Sequence, residues 1–498
     1  NAALRVPASS RLAVDYGGRV ALGNDGSIIV SGGITARGGD VTLGLSPVGD
    51  FGYLPDLGIW FEPGSRVDVS GAVLPTTVDA LGRVDSVVRI DGGSVDVNAG
   101  TGYIIGMPGS IIDVSGATGT VTATVSGAGM GQPATRDFLV GSNAGSVSLV
   151  SGVGIHFFSQ LDGSAERTLG ANGGSLTIAL DGNLRPTNQV ISAPSLEFPA
   201  TVVDGVEELK VQLGAAQFRD GIRTAQALPD ELFDVASFSL DNYVQGDFDE
   251  LHLRSSPNLV QKDPSALALR GSDDPLMESV VELVGNGSID VGRVLTLDAP
   301  VVQSAGGRLH ISVDYLKIGF DETDFVTSDT PVPTGGTDPA IKYFSAEPGT
   351  GAAVFAAEFI DFEGFTAFHG FGPSGDTTAS PLQFSSAGDI RFRGVRAPVD
   401  VALEPQGALI TAADLLLEGR RIYASTLTDF LLANVAEGGT ITFGYGSRRS
   451  DPVRADPGRG LGVSVQRRGR FDPRVRGRSG FGIRCAAGKT HYADSGWA

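Results

Sequence analysis

A short run of alternating apolar and polar residues recurs along the chain, closed at both ends by glycine, serine or a similar small residue. Typical copies are Gly26–Gly32, Gly64–Gly71, Gly93–Gly100 and Gly145–Gly152. Such alternation predicts a half-buried β-strand, and the flanking glycines predict tight turns. Because one such strand cannot bury its apolar side alone, the repetition predicts a stack of similar turns of chain.

The spacing of the copies predicts a coil. They follow one another at irregular distances that average about 25 residues, the order of length that one turn of a three-sided parallel coil requires. We therefore predict an all-β fold, a parallel β-helix (β-solenoid) with irregular insertions. In each strand Val, Ile and Leu face inward and Ser, Asp, Thr and Arg face outward, and glycine supplies a positive φ at the corners.

The pattern divides the chain into four segments. These are 1–185, with nearly regular rungs; 186–286, rich in insertions; 287–446, with rungs interrupted by a polar loop at 320–341; and 447–498, a basic Arg/Gly-rich tail. We interpret the two interruptions as insertions in one architecture, because rungs of the same kind stand on both sides of them.

Within the second segment the pattern predicts three short elements. Leu228–Phe233 and Asp274–Leu283 are typical of short helical or irregular excursions, whereas Phe248–Leu253 alternates like a strand. Loops on a rigid scaffold commonly carry function. The sequence therefore directs attention to 186–286 and 320–341 as places for binding.

Composition is compatible with a narrow packed core. Glycine accounts for 71 of 498 residues and apolar residues for 41%, so the chain differs from a disordered low-complexity segment. The one cysteine, Cys485, excludes an internal disulfide framework. Scarcity of cysteine fits export through an oxidising compartment, and chance explains it equally well. No run approaches the ~20 apolar residues of a transmembrane helix, and the start at Asn1 without a signal-peptide pattern suggests a fragment.

Charge is unevenly distributed. From Arg448 onward the chain holds eleven Arg and one Lys against four Asp, so a body of net charge −28 precedes a tail of +8. An acidic body argues against binding to nucleic acid, which needs a cationic surface. The tail fits either a basic disordered segment or an out-of-frame stretch of coding sequence, and both interpretations stay open.

The strongest catalytic candidates are two carboxylates near a histidine. Asp361 and Glu363 precede His369 in a Phe- and Gly-rich stretch, and glycan-cleaving enzymes need paired carboxylates in one groove. A Phe-rich turn between two rungs explains the same residues, so we predict that the chain is not an enzyme. The histidines show no metal-binding spacing, and we predict neither a metal nor another cofactor.

Isolated aspartates raise a second question of chemistry. Asp68, Asp96, Asp113 and Asp290 each occupy an outward position between apolar residues. An acidic ladder along one face invites Ca²⁺, although the tandem Gly-rich spacing of calcium repeats is absent. A solvated strand face that keeps the protein soluble is the interpretation we favour.

Several short phrases resemble one known family, the filamentous-haemagglutinin-like large exoproteins. The resemblance covers roughly residues 20–445, as a pattern together with these phrases. They are Gly38–Leu43, Phe51–Asp56, Val67–Gly71, Ala99–Tyr103 and Gly141–Val147. The family's secretion motif of the Asn-Pro-Asn-Gly type and an Arg-Gly-Asp triplet are not found in the sequence.

The resemblance implies a secreted right-handed parallel β-helix. Members of that family are exported across the Gram-negative outer membrane by a partner transporter of the two-partner secretion type, and adhesion is their usual role. We therefore expect a shaft segment of an extracellular, cell-surface adhesin that contacts host-cell, glycan or bacterial surfaces through many weak loop contacts. A glycan-active enzyme on the same coil and a passive structural spacer are the alternatives.

Overall fold

A computed structural model describes most of the chain. The described residues are 3–46, 57–80, 83–125, 134–184, 195–198, 218–219, 222–223, 233–256, 279–320, 346–372, 380–395, 406–425, 428–436, 438–445, 448–449, 453–454, 461–466, 482–485 and 490–491. They belong to two compact units, residues 1–189 with 200–252 (unit 1) and residues 190–199 with 253–498 (unit 2).

Nearly all of the described elements are strands. In chain order they are β1 (Leu4–Val6), β2 (Arg11–Ala13), β3 (Arg19–Asn24), β4 (Ile28–Val30), β5 (Gly33–Thr35), β6 (Asp40–Leu45), β7 (Gly58–Phe61), β8 (Arg66–Asp68), β9 (Ala72–Val78), β10 (Val84–Ile90), β11 (Ser94–Asn98), β12 (Tyr103–Gly106), β13 (Ile111–Asp113), β14 (Thr118–Val125), β15 (Ala134–Gly141), β16 (Ser146–Ser151), β17 (Gly154–Phe157), β18 (Gln160–Asp162), β19 (Ser175–Asp181), β20 (Ser195–Phe198), β21 (Phe218–Arg219), β22 (Ile222–Arg223), β23 (Val235–Phe238) and β24 (Glu250–Ser256). They continue with β25 (Val280–Leu283), β26 (Gly287–Asp290), β27 (Val294–Asp298), β28 (Val301–Ser304), β29 (Arg308–Ile318), β30 (Pro348–Glu363), β31 (Phe365–His369), β32 (Leu382–Ser386), β33 (Asp389–Arg393), β34 (Gln406–Thr411), β35 (Leu415–Glu418), β36 (Arg421–Ala424), β37 (Asp429–Asn434), β38 (Thr440–Tyr445), β39 (Arg448–Arg449), β40 (Val453–Arg454), β41 (Leu461–Gln466), β42 (Gly482–Cys485) and β43 (Thr490–His491). The described helices are α1 (Leu240–Gln245) and two 3₁₀ turns, Arg167–Leu169 and Gly182–Leu184.

Unit 1 is a parallel coil with three faces. Face A stacks β1, β4, β7, β12, β17 and β23; face B stacks β2, β5, β8, β13 and β18; face C stacks β3, β6, β11, β16 and β19. Each strand pairs in parallel with its counterpart in the next turn, as Ile28 does with Ile59 and Val41 with Val95. The predicted parallel β-helix is therefore confirmed, and its right hand stays a prediction.

Aligned aliphatic side chains form the inward row of face C in unit 1. On face C the inward row consists of Val20, Val41, Val95, Val147 and Leu176, and all of them are buried. Along β16 buried and half-buried positions alternate at every residue, as the sequence pattern predicts. Full burial of each such side chain is worth roughly 1.5–3 kcal/mol.

Two turns of unit 1 are lengthened by hairpins. A bare turn on face C runs from Val20 to Val41, whereas the next two run from Val41 to Val95 and from Val95 to Val147. Most of the difference is made by two antiparallel hairpins, β9 with β10 and β14 with β15. The prediction of nearly regular rungs over 1–185 needs correction at these two places, because hairpin strands and rungs alternate alike in sequence.

At some corners of the repeated pattern the glycine that precedes serine is required by close packing between turns. A Cβ atom on Gly93 would lie 1.8 Å from the carbonyl oxygen of Gly39, and a Cβ atom on Gly145 would lie 1.8 Å from that of Gly93. Positive φ, the predicted reason, applies at other corners such as Gly64 (φ 86°) and Gly109 (φ 89°). Glycine therefore serves two separate purposes in this coil.

Unit 2 is also a parallel coil, but some of its strands are longer. Its face A stacks β25, β28, β31, β34 and β37. Opposite halves of β29 pair with two different strands, β26 and β27, and opposite halves of β30 pair with β32 and β33. Since β29 and β30 run through a corner without interruption, two faces of unit 2 share continuous strands.

Phenylalanine rings fill much of the inside of unit 2. The ring centroid of Phe384 lies 5.0 Å from that of Phe355, 4.9 Å from that of Phe362 and 5.5 Å from that of Phe368. The first pair is stacked and the other two meet edge to face. Such pairs add about 0.5–1.5 kcal/mol each beyond the burial of their surface.

The predicted insertions are described only in part. The excursion at Leu228–Phe233 and the loop at 320–341 lie almost entirely outside the described residues. The strand predicted at Phe248–Leu253 is confirmed as β24. The excursion at Asp274–Leu283 ends in strand β25, which pairs in parallel with β28, so a helical interpretation of its last four residues is wrong.

Strand direction changes near the beginning of the tail. β37 pairs antiparallel with β41, and β41 with β42, whereas the faces of both units are built from parallel pairs. The described part of 447–498 thus contains short antiparallel strands. The disordered and the out-of-frame interpretations of this segment stay predictions, and translation of the underlying DNA in the other two frames tests the second.

Candidate functional site

Basic residues flank the predicted catalytic pair on both sides. Asp361 and Glu363 are on β30 of unit 2, with Lys317 of β29 in register with Asp361 on one side. On the other side Arg391 and Arg393 of β33 are in register with Asp361 and Glu363. The parallel register therefore places the two carboxylates between one lysine on one side and two arginines on the other.

Asp361 is fully enclosed by this arrangement, its side chain being 0% exposed. It accepts hydrogen bonds from the Tyr315 hydroxyl at 2.9 Å and from Arg391 Nε at 2.9 Å and Nη2 at 2.5 Å. Burial raises the pKa of Tyr315 to about 12, with the charge of Asp361 adding to it, so the phenol keeps its proton. The hydrogen bond to Asp361 raises the pKa of Arg391.

Glu363 is paired in the same way. Its carboxylate lies 2.9 Å from Lys317 Nζ and 3.2 Å from Arg393 Nη2. A catalytic acid or nucleophile has to touch the substrate, and Asp361 has no exposed surface with which to do so. The geometry favours a structural role, in which the two carboxylates tie successive turns of unit 2 together.

His369 is separate from this pair. It is on β31, on face A of unit 2, in register with Gln303 of β28. Burial lowers the pKa of its imidazole, with the charge of Glu347 opposing the shift. Among the described residues no hydrogen bond or ion pair joins His369 to Asp361 or Glu363, so the structure does not bring the three candidates into one site.

The isolated aspartates close turns. Asp68 accepts hydrogen bonds from the backbone nitrogen and hydroxyl of Ser70, and Asp113 does the same with Ser115. Asp162, which the sequence argument did not single out, repeats this contact with Ser164. The three aspartates are aligned in successive turns of face B. Their carboxylates thus satisfy backbone and hydroxyl donors at a corner.

The other two aspartates also have local partners. Asp96 accepts a hydrogen bond from Ser94, and Asp290 accepts one from the backbone nitrogen of Gly292. In the described part of the chain no group of three or more His, Cys, Asp or Glu side chains is arranged to hold a metal ion.

Two hairpins of unit 1 lie outside the three faces of the coil. We name them the paired hairpins (β9–β10 and β14–β15). Both leave the coil at the same corner, between faces B and C, in successive turns. They contact each other: a Cβ atom on Gly119 would lie 2.5 Å from the Val73 side chain. Arg83 Nη1 also donates to Thr135 Oγ1 at 3.4 Å.

The paired hairpins carry large apolar side chains in contact with solvent. Val78 is 55% exposed, Val88 48%, Phe138 46% and Leu139 62%. Large apolar side chains left exposed on elements outside the coil make the paired hairpins a candidate interaction surface. Sequence reasoning missed this surface because it assigned these strands to the shaft.

A cleft of about 280 Å³ lies at the base of the paired hairpins. It is lined by Arg89, Asp91, Gly141, Asn143, Leu169, Gly170 and Ala171. These residues come from three successive excursions at the same corner, namely the two hairpins and the 3₁₀ turn Arg167–Leu169.

A ladder of polar side chains fixes the floor of the cleft. Asp91 accepts hydrogen bonds from the backbone nitrogen of Asn143 at 2.8 Å and from its side-chain Nδ2 at 3.1 Å. Asn143 Oδ1 in turn accepts from the backbone nitrogen of Asn172 at 2.9 Å. A signal for this ladder is present in the sequence: Asp91, Asn143 and Asn172 each stand three residues before the serine that opens a face C strand.

Comparison with known proteins adds no relative to this description. No protein-family model, no curated protein and no solved structure matches the chain. Among the described residues no helix is both long enough and apolar enough to span a membrane.

Proposed function

We propose that the chain is a shaft segment of a secreted, cell-surface adhesin of the filamentous-haemagglutinin-like kind. The parallel coil supplies a stiff scaffold, and the paired hairpins supply the contact surface. In this proposal the parent protein reaches the cell surface through an outer-membrane two-partner secretion transporter. Its ligands are host-cell, glycan or bacterial surfaces.

The observation that carries the proposal is the exposure of Phe138, Leu139, Val78 and Val88 on elements that leave the coil. Loops held by a rigid scaffold commonly carry binding function. The hairpin strands contribute no rung to the coil, because among the described strands β9 pairs with β10 and β14 pairs with β15. Many weak contacts add up when several copies of such a shaft face one surface.

The catalytic alternative lacks comparable support. Asp361 is enclosed by Tyr315 and Arg391, and His369 lies on another face. Incubation with a polysaccharide panel tests this point directly. Cleavage products that disappear in Asp361→Asn would overturn the adhesin proposal.

Beads coated with the purified chain test the contact surface on epithelial cell monolayers. We expect Phe138→Ser combined with Leu139→Ser to reduce bead retention at least five-fold. Val244→Ser is the matched control, because Val244 is 54% exposed on α1 of the same unit. Retention that is equal in all variants would exclude the paired hairpins as the contact, and no retention of wild-type beads would favour a passive spacer.

A further inference from the structure

The chain contains two Asn-Gly dipeptides, Asn172–Gly173 in unit 1 and Asn286–Gly287 in unit 2. In such a dipeptide the backbone nitrogen of the glycine can attack the side-chain amide carbon of the asparagine, because glycine has no side chain to keep the two groups apart. Both asparagines are exposed. Exposure alone therefore does not distinguish them, and the contacts of each dipeptide decide which one reacts.

Hydrogen bonds hold the dipeptide of unit 1 in place. The backbone nitrogen of Gly173 donates to Asp249 Oδ2 at 2.6 Å, and the Asp249 side chain is only 5% exposed. The backbone nitrogen of Asn172 donates to Asn143 Oδ1 at 2.9 Å, and its backbone oxygen accepts from the Ala144 nitrogen at 3.0 Å. The nitrogen that would attack is therefore bound to a buried carboxylate, in a segment fixed on its other side as well.

The dipeptide of unit 2 has more freedom to rotate. Asn286 and Gly287 are both exposed, at the corner between β25 and β26. Apart from the chain neighbours of Gly287, no described atom would lie within 4 Å of a Cβ atom on this residue, and its φ is 134°. Gly287 is also the first residue of β26, and the backbone hydrogen bonds at the end of an element open most readily. Its nitrogen can therefore turn toward the Asn286 side chain.

A backbone donor lies where charge develops during such an attack. The backbone nitrogen of Arg308 donates to Asn286 Oδ1 at 2.8 Å. When a nitrogen adds to the amide carbon, negative charge accumulates on this oxygen, and a fixed N–H group at hydrogen-bond distance stabilises it. The corner thus combines an exposed amide, a glycine with space to move and a donor for the transition state.

We propose that Asn286 is a site of spontaneous deamidation, with water as the second reactant. The Gly287 nitrogen loses its proton to solvent and bonds to Asn286 Cγ, while Nδ2 takes up a proton and leaves as ammonia. Water then opens the resulting five-membered succinimide. Cleavage between the Gly287 nitrogen and Cγ leaves aspartate, and cleavage of the original peptide bond leaves isoaspartate. One amide and one water become one carboxylate and one ammonium ion, without an oxidant or a reductant.

Conversion changes the contact of this corner with the next turn, in which Leu309 is in register with Gly287. A Cβ atom on Gly307 of that turn would lie 2.3 Å from the Gly285 carbonyl oxygen and 2.9 Å from Asn286 Oδ1, so the corner tolerates little displacement. Isoaspartate adds a charge and lengthens the backbone by one carbon. We expect it to loosen the pairing of β26 with β29. This chemistry is independent of the adhesive function proposed above.

The test compares the two dipeptides within the same molecule. The full chain is kept in mildly alkaline buffer at physiological temperature and digested at intervals. Mass spectrometry of the peptides measures loss of the amide, and electron-transfer fragmentation distinguishes aspartate from isoaspartate. In the folded chain we expect Asn286 to convert about ten-fold faster than Asn172, a difference of about 1.4 kcal/mol in activation free energy. In the chain unfolded by guanidinium the two rates should become similar, because both dipeptides then lack their contacts.

Two variants separate the chemistry from the surroundings. Asn286→Gln should stop conversion at this position, because its longer side chain would have to close a six-membered ring. Asp249→Ala removes the acceptor of the Gly173 nitrogen and should raise the rate at Asn172 without changing that at Asn286. If Asp249→Ala unfolds unit 1, the comparison of folded with unfolded wild type decides by itself. Equal rates at the two asparagines in the folded chain, or an Asn286 that converts only after unfolding, would overturn the proposal.

Discussion

The inward row on face C of unit 1 and the interior of unit 2 are built from different side chains. The inward rows of unit 1 on face C are aliphatic, such as Val41, Val95 and Val147, whereas unit 2 stacks the rings of Phe355, Phe362 and Phe384. The backbone pairing is parallel in both. Rung formation therefore depends on alternation and turn chemistry, and the shape of the inward side chains is free to vary provided that they fill the interior.

Aspartates of the two units illustrate two ranges of contact. In unit 1 Asp68 closes its own corner by accepting hydrogen bonds from Ser70, two residues away. In unit 2 Asp361 bonds Tyr315 and Arg391, each from another turn. Hydrogen bonds within one corner stabilise that corner alone, whereas hydrogen bonds between turns couple successive rungs.

The largest effect is expected in the aromatic interior of unit 2. Phe384→Ala should lower the free energy of unfolding of unit 2 by about 3–5 kcal/mol, because three rings lose their central partner. Phe384→Leu, which keeps most of the volume, should cost less than about 1.5 kcal/mol. Amide hydrogen exchange of β30 and β32 in the full chain measures both. An equal cost for the two variants would contradict this expectation and show that loss of the ring contacts, not loss of volume, sets the cost.

Removal of the buried carboxylate should have the next largest effect. Asp361→Asn leaves Arg391 without its ion pair, and because the Arg391 side chain is 34% exposed we expect about 2–3 kcal/mol, below the cost for a fully buried pair. Amide exchange should rise together in β29, β30 and β33. Asp314→Asn, an exposed carboxylate of β29, should change stability by less than about 0.5 kcal/mol. A rise confined to β30 would contradict coupling between turns.

A turn-closing aspartate should have a smaller and local effect. Asp68→Ala removes the acceptor for the backbone nitrogen and the hydroxyl of Ser70, and we expect a loss of about 1–2 kcal/mol. Faster amide exchange should be confined to the corner at 69–71. Exchange that rises across face B would place Asp68 in the same class as Asp361 and remove the distinction between the two ranges of contact.

The smallest effect should appear only in alkali. The pKa of Tyr315 is raised from 10.0 to about 12 in the folded chain, so its contribution to stability is fully present below about pH 10 and is lost as the pH rises through about 12. Unit 2 should therefore lose stability over this interval, and Tyr315→Phe should remove that part of the loss. An identical pH profile for wild type and Tyr315→Phe would show that folding does not raise the pKa of this phenol.

The coil and its alternation were predictable from sequence because they depend on local chemistry. A β-strand places successive side chains on opposite sides, so the copies at Gly93–Gly100 and Gly145–Gly152 already define an inside and an outside. The strand at Phe248–Leu253 was found for the same reason. The hairpins were not, because Ala72–Val78 and Thr118–Val125 alternate just as rungs do.

The candidate sites depended on contacts that sequence does not display. Asp361 and Arg391 are 30 positions apart, and only the register of β30 with β33 shows that they form a pair. The cleft likewise needs Arg89, Asn143 and Leu169 from three turns. The ladder residues Asp91, Asn143 and Asn172 occupy the same position before the glycine and serine that precede a face C strand. Only the stacking of the turns shows that they form hydrogen bonds with one another.

By itself the sequence determined the sidedness of each strand and the positions where glycine is needed. The tertiary structure alone decided which strands stack on which, and therefore which charges are paired, which corner projects hairpins and where a cleft opens. The physical reason is that side-chain alternation is fixed within a few residues, whereas register joins residues tens of positions apart. Each added excursion changes that register without changing the local pattern.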